Sequence, residues 1–175
     1  MTPEGHGHGT ALWLTPDAGS FAKLEALVST LAKHLGTAVF APHVTLLHGL
    51  TLEESELGAR AATLSKRLRV PPVELGPLEA GDEFFRSLYL RAEPSDWFRV
   101  EHAGAAEAFG VSPDPAYLPH LSLVYGRVDA SEKERVSTIG VDRPSSIELT
   151  AIEVWRTQGP VGDWRLRRRL PLGGS

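Results

Sequence analysis

Two stretches of this chain copy one another, and no other feature narrows its fold as much. Ala41-Pro42-His43-Val44-Thr45-Leu46-Leu47-His48-Gly49 and Leu118-Pro119-His120-Leu121-Ser122-Leu123-Val124-Tyr125-Gly126 both read proline, histidine, apolar, hydroxyl, leucine, with a glycine six residues after the histidine. Alternation of this kind belongs to a half-buried strand, in which residues i and i+2 share a face. His43 then projects beside Thr45, and His120 beside Ser122, while Val44, Leu46, Leu121 and Leu123 turn toward a core.

The surrounding pattern extends the duplication. In the first half, Thr10–Thr15 reads as a strand. Ser20 is placed to cap a helix with Phe21, Leu24, Val28, Leu31 and Leu35 on one face, which Gly36 stops. A strand region over 37–47 follows. Thr51 and Glu54 form a capping-box pattern ahead of a helix presenting Leu57, Ala61, Leu64 and Leu68, and 73–78 is extended. In the second half, 84–91 is a strand and Ser95 caps a helix to about Phe109. A strand over 118–125, a short helix capped by Ser131, a long strand over 145–156 and a final strand over 164–170 complete it. The expected fold is α+β: a bilobal, duplicated domain with two antiparallel sheets facing a central cleft and helices on the outside. The lobes are expected at roughly 10–80 and 82–175, after a flexible N-terminus over 1–9, where His6 and His8 alternate with glycines.

Composition removes several classes of function. The 175 residues contain no cysteine, so disulfides, thiolate nucleophiles and cysteine-ligated zinc are excluded, which fits a reducing, cytoplasmic location. Apolar runs such as Thr10–Leu14 are too short to span a bilayer, and no basic stretch followed by an apolar run opens the chain, so no membrane association is expected. The net charge of −4 argues against tracking along many phosphates and for a small or terminal phosphate substrate. No His, Asp and Glu trio shows metal-ligand spacing, so neither metal nor cofactor is expected, and no obligate protein partner is evident.

If the halves are related by a local twofold, both motifs face one cleft, which then holds two imidazoles and two hydroxyls. That set suits displacement at phosphorus. One neutral histidine takes a proton from water and one protonated histidine gives a proton to the departing sugar oxygen. Thr45 and Ser122 bond the non-bridging oxygens. Sequence alone does not say which histidine is the base.

These residues resemble the two-histidine phosphoesterase superfamily, whose signature is a pair of His-x-Thr/Ser motifs, and most closely its plant and yeast type of cyclic phosphodiesterase. The second motif from Tyr117 to Tyr125 carries the likeness, with Ala11-Leu12-Trp13, Phe84 to Leu90 and the closing Trp155 to Leu166 hairpin. The resemblance implies a bilobal α+β fold with a water-filled cleft and no metal. It implies hydrolysis of ADP-ribose 1″,2″-cyclic phosphate, or of nucleoside 2′,3′-cyclic phosphates to 2′-phosphates. The catalytic pair would fall on His43 and His120, the phosphate-binding hydroxyls on Thr45 and Ser122, and a substrate contact on Tyr125, although simple alternation turns Tyr125 to the core. Arg86 stands where the likeness leads one to expect glutamine, and could contact a phosphate or face solvent.

Trp13 is a candidate to stack on a nucleobase. Phe85 has the same two readings, base contact or core, with core favoured. His48 points away from the cleft by alternation, and His34 and His102 read as solvated helix residues. Arg165, Arg167, Arg168 and Arg169 read as a charge-protected edge strand. The leading expectation is therefore a metal-independent cyclic phosphodiesterase acting on small nucleotides. The alternatives are an enzyme of RNA termini, either a 2′,3′-cyclic phosphodiesterase or a 2′-5′ RNA ligase, and a non-catalytic nucleotide or RNA binder.

Overall fold

A computed structural model describes residues 4–138 and 142–173. In chain order its elements are β1 (His6–Gly7), β2 (Thr10–Pro16), α1 (Ala18–Leu35), β3 (Val44–Leu50), α2 (Glu54–Arg67), β4 (Val73–Glu83), β5 (Arg86–Glu93), α3 (Ser95–Phe109), β6 (His120–Val124), α4 (Ala130–Thr138), β7 (Ser146–Ile147), β8 (Leu149–Arg156), β9 (Gly159–Pro160), a 3₁₀ turn (Val161–Asp163) and β10 (Arg165–Pro171). The α+β class is as expected.

The helices form where apolar residues recur at helical spacing, but their caps differ from expectation. Asp17, not Ser20, caps α1: its Oδ1 accepts the amides of Gly19 and Ser20, each at 3.0 Å. The N-cap of α2 is Glu53, with no side-chain bond, so the Thr51–Glu54 box does not form; Pro94, rather than Ser95, precedes α3. Gly36 closes α1 in the left-handed conformation at φ 66°, a position that suits glycine. Leu24, Val28 and Leu31 of α1 and Leu57, Ala61 and Leu64 of α2 are buried. His102, expected in solvent, is buried on α3. Its Nδ1–H donates to the Leu46 carbonyl at 2.8 Å and its Nε2 accepts the Asp114 amide at 2.9 Å. His34 is exposed, and Arg135 donates to its Nε2.

The strands make one eight-stranded antiparallel sheet in the order β10-β8-β2-β3-β6-β5-β4-β7, with β1 pairing β9 apart from it. The expectation of two separate sheets therefore needs correcting at one point. β3 and β6 meet through the single pair Val44–Leu121, which joins two halves of four strands. Continuing that register would oppose Pro42 to Leu123 and Pro119 to Leu46. Proline has no amide to donate, so the two motif prolines stop the ladder in both directions and the halves diverge into a cleft.

The lobes are not consecutive halves of the chain. β4, expected with the N-terminal lobe, pairs β5 in the other half, while β8 pairs back onto β2 and β10 extends the sheet from β8. The run over 145–156 crosses from one half to the other, with β7 on β4 and β8 on β2. Helices brace the weak junction: α1 lies against β2 and β6, and α3 against β3 and β5. The core they cover includes Val44, Leu46, Leu121 and Leu123, and the opposite face of the same strands is left to the cleft.

Candidate active site

The Val44–Leu121 pair sets the geometry of the site. One residue to either side in that register, His43 stands across from Ser122 and Thr45 across from His120, all on the face away from the helices. All four line one cavity of about 300 Å³. The site is thus built from two copies of a dipeptide step arranged head to tail.

Both histidines are held alike. Each donates its Nδ1–H to the carbonyl two residues earlier, His43 to Ala41 and His120 to Leu118, at 2.6 Å in both cases. A carbonyl only accepts, so this bond fixes the tautomer and leaves Nε2 as the nitrogen free to exchange a proton. Proline at the intervening position orients that carbonyl in both motifs.

Their surroundings differ. His43 is 4% exposed and stacks on Trp13, with ring centroids 3.5 Å apart and planes 4° from parallel. Burial pushes its pKa down to about 3, against the upward pull of the Ala41 carbonyl, and charge on His120 lowers it further. His120 is half-buried and meets Tyr89 edge-on at 5.5 Å. Burial lowers its pKa too; the Leu118 carbonyl raises it, the Arg86 charge lowers it and Glu83 raises it.

A family model described as "Cyclic phosphodiesterase-like protein" matches residues 8–170. The chain belongs to this family. It is accordingly a phosphodiesterase of the two-histidine phosphoesterase superfamily. A "Cyclic phosphodiesterase" of Arabidopsis thaliana is 22% identical over 138 residues, covering 79% of this chain and 76% of that protein. Among solved structures, TT0787 of Thermus thermophilus aligns with a TM-score of 0.59 at 19% identity, over 95% of this chain and 98% of that one. E. coli LigT complexed with 3′-AMP aligns with a TM-score of 0.58 at 18% identity, over 94% and 98%. At these identities the structures show the fold.

The remaining residues of this phosphodiesterase fall into place around the pair, some of them against expectation. Trp13 lines the cavity, but its neighbours cover nearly all of it. It is 2% exposed and lies between His43 and Trp155, whose ring centroid is 4.6 Å away. Trp155 is fixed in turn by buried Glu153, which accepts its Nε1–H at 2.8 Å and pairs with Arg169. Trp13 therefore backs the histidine. Ser122 donates its hydroxyl to the Phe85 carbonyl at 2.8 Å, so serving a phosphate requires that hydroxyl to turn. Phe85 and Arg86 both line the cavity; Arg86 pairs with Glu83 and lies 5.6 Å from the centre of the Tyr89 ring.

Tyr125 lines the cavity in spite of simple alternation. β6 ends at Val124, and the register slips between Leu88 and Tyr89 on its partner. The Tyr125 hydroxyl comes within 3.4 Å of His43 Nε2, and burial raises its pKa. His48 is the larger correction. Against β2 the register slips from Leu50–Thr10 to Leu47–Leu12, and Gly49 takes φ 70°. This bulge rotates His48 into the cavity wall. His6 and His8 also line the cavity, because β1 pairs β9 instead of fraying. The lining residues that the sequence reading did not single out as site candidates also include Gly7, Ala11, Glu83, Thr157 and Trp164. The arginines of β10 lie on the sheet edge, where Arg167 pairs with Glu54 at 2.9 Å.

Among the described residues no helix is long and apolar enough to cross a membrane.

Proposed function

We propose that this phosphodiesterase opens cyclic phosphodiesters of small nucleotides, either ADP-ribose 1″,2″-cyclic phosphate or nucleoside 2′,3′-cyclic phosphates, by acid–base catalysis from His43 and His120 without a metal. One observation carries the reading: two imidazoles, each locked in the same tautomer by the carbonyl two residues back, line a single cavity.

The unequal surroundings support a division of labour. His43, with its pKa driven to about 3, stays neutral at any working pH and is the base. His120 is also lowered by burial but stands more open to solvent, with the Leu118 carbonyl and Glu83 favouring its charged form, and is the acid. His43 Nε2 takes a proton from water, the water oxygen attacks phosphorus, and the P–O bond to one sugar oxygen breaks as His120 supplies that oxygen with its proton. Thr45 and Ser122 bond the non-bridging oxygens, Ser122 after turning from Phe85. A cavity of about 300 Å³ lies at the small end of ligand sites and favours a small nucleotide over a longer RNA terminus.

A panel of cyclic phosphates followed by phosphorus NMR tests this. Ring opening to a single phosphomonoester isomer, undiminished by a chelator, is the expected result. An intact ring across the panel, or activity abolished by chelation, overturns it. Turnover of an oligonucleotide 2′,3′-cyclic end well above that of the mononucleotide would favour the RNA-end reading.

A further inference from the structure

Five of the seven histidines line the cavity, and the acid–base pair accounts for only two of them. The other three are His6, His8 and His48, and His8 lies near enough to His48 to act on its charge. His6 and His8 belong to the Gly5-His6-Gly7-His8-Gly9 tract, whose glycines do the opposite of loosening it. A Cβ on Gly7 would fall 2.2 Å from the Thr157 carbonyl and 2.9 Å from the Trp164 ring. One on Gly9 would fall 2.5 Å from the Leu50 carbonyl, and one on Gly5 2.6 Å from the Phe84 ring. Gly5 and Gly9 also take φ of 79° and 65°. The alternate residues are thus fitted to the body of the protein, and the imidazoles between them line the cleft. His8 lies over Gly49, its Nε2 2.9 Å from where a Cβ there would stand, next to His48 on the bulge.

The chemistry of these three imidazoles is that of an anion site. The cavity lining contains one carboxylate, Glu83, and that is engaged by Arg86. Asp114 acts on His48 from outside the cavity. Among the described residues no three His, Asp or Glu side chains converge to hold a metal ion. His6 Nδ1–H donates to the Glu4 carbonyl at 3.4 Å, which leaves its Nε2 toward the cleft, and none of the three imidazoles meets a cavity carboxylate, so their ring nitrogens suit an anionic acceptor.

We propose that His6, His8 and His48 form a second anion subsite that receives a non-scissile phosphate of the substrate. This rests on the hydrolase reading above and sharpens it. The preferred substrate is a cyclic phosphodiester that carries a further phosphate elsewhere on the nucleotide, rather than a nucleoside 2′,3′-cyclic phosphate with no other charge.

Non-reactive ligands test the subsite apart from turnover. The full chain is titrated calorimetrically with adenosine 2′-monophosphate and with adenosine 2′,5′-bisphosphate. The bisphosphate is expected to bind about ten-fold more tightly. In H6A/H8A, and separately in His48→Ala, that preference shrinks at least about five-fold. Equal affinity of the two ligands for the wild type, or a preference unchanged in both variants, overturns the proposal. A protein that prefers the bisphosphate yet opens no cyclic phosphate keeps the subsite and loses the hydrolase reading. One that opens rings without that preference loses the subsite alone.

Discussion

His43 and His120 occupy copies of one motif and make the same hydrogen bond, yet the protein encloses them differently. His43 is sandwiched: Trp13 on its face, Phe40 at its edge with centroids 6.3 Å apart, and the Tyr125 hydroxyl on its Nε2. His120 stands at the open side beside Tyr89, Arg86 and Glu83. The backbone is duplicated; the aromatic and charged groups around it are not. Acid–base catalysis needs two groups in opposite protonation states, and two identical sites would leave open which imidazole holds the proton. In the proposed mechanism, the difference between the copies assigns one role to each histidine.

The comparison can be broken most severely at the imidazoles. His43→Ala and His120→Ala are each expected to lower kcat by about 10²–10⁴-fold while circular dichroism and the thermal transition report a folded protein. A variant turning over at the wild-type rate would remove that histidine from the mechanism. Next in size is the stack. Trp13→Ala should cost about 3–5 kcal/mol of stability as a buried aromatic truncation. The gentler Trp13→Phe should lower kcat by about ten-fold or more with little change in KM, because the ring that sets the His43 plane is smaller.

The asymmetry also appears in stability. The unfolded chain protonates His43 at its ordinary value near 6.5, whereas the folded protein withholds that proton until about 3. Between those values the unfolded state binds more protons, so stability is greatest above pH 6.5 and declines as pH falls, by up to about 1.4 kcal/mol per pH unit. Denaturant midpoints at pH 7 and pH 5 should differ less in His43→Gln than in the wild type.

The smallest effect concerns the rate profile. In the proposed mechanism the productive form has His43 neutral and His120 protonated, and both groups are lowered, so kcat/KM should peak on the acid side of 6.5 and fall as His120 deprotonates. Arg86 lowers His120 and Glu83 raises it. Arg86→Gln should therefore move the alkaline limb up, and Glu83→Gln should move it down, each by less than about one unit, as expected for charges screened by solvent.

What can be read in advance follows the range of the forces involved. The side-chain period of a strand is local, so counting in twos puts His43 with Thr45, and His120 with Ser122, on the faces where the structure has them. Counting fails where a strand slips. His48 and Tyr125 reach the cavity only because of a bulge at Gly49 and a strand end after Val124, and both depend on the partner strand. Lobe membership escapes a linear reading for the same reason, since the partner of 149–156 lies more than a hundred residues away on β2. That Trp13 stacks on both His43 and Trp155, the latter anchored by Glu153, is not legible locally, because those partners come from distant strands. The Gly-His tract reads as a loose tail because glycine in a sequence suggests freedom, whereas here each glycine marks a close approach to another backbone or ring.

The inequality of the two imidazoles is tested most directly by NMR titration of the histidine rings in the substrate-free protein, with signals assigned through the single His43 and His120 variants. His43 should remain neutral down to about pH 3 in its Nδ1–H form, while His120 takes its proton first, at a pH below 6.5. If His43 protonated before His120, or both titrated together near the free imidazole value, the base and acid assignments would be contradicted.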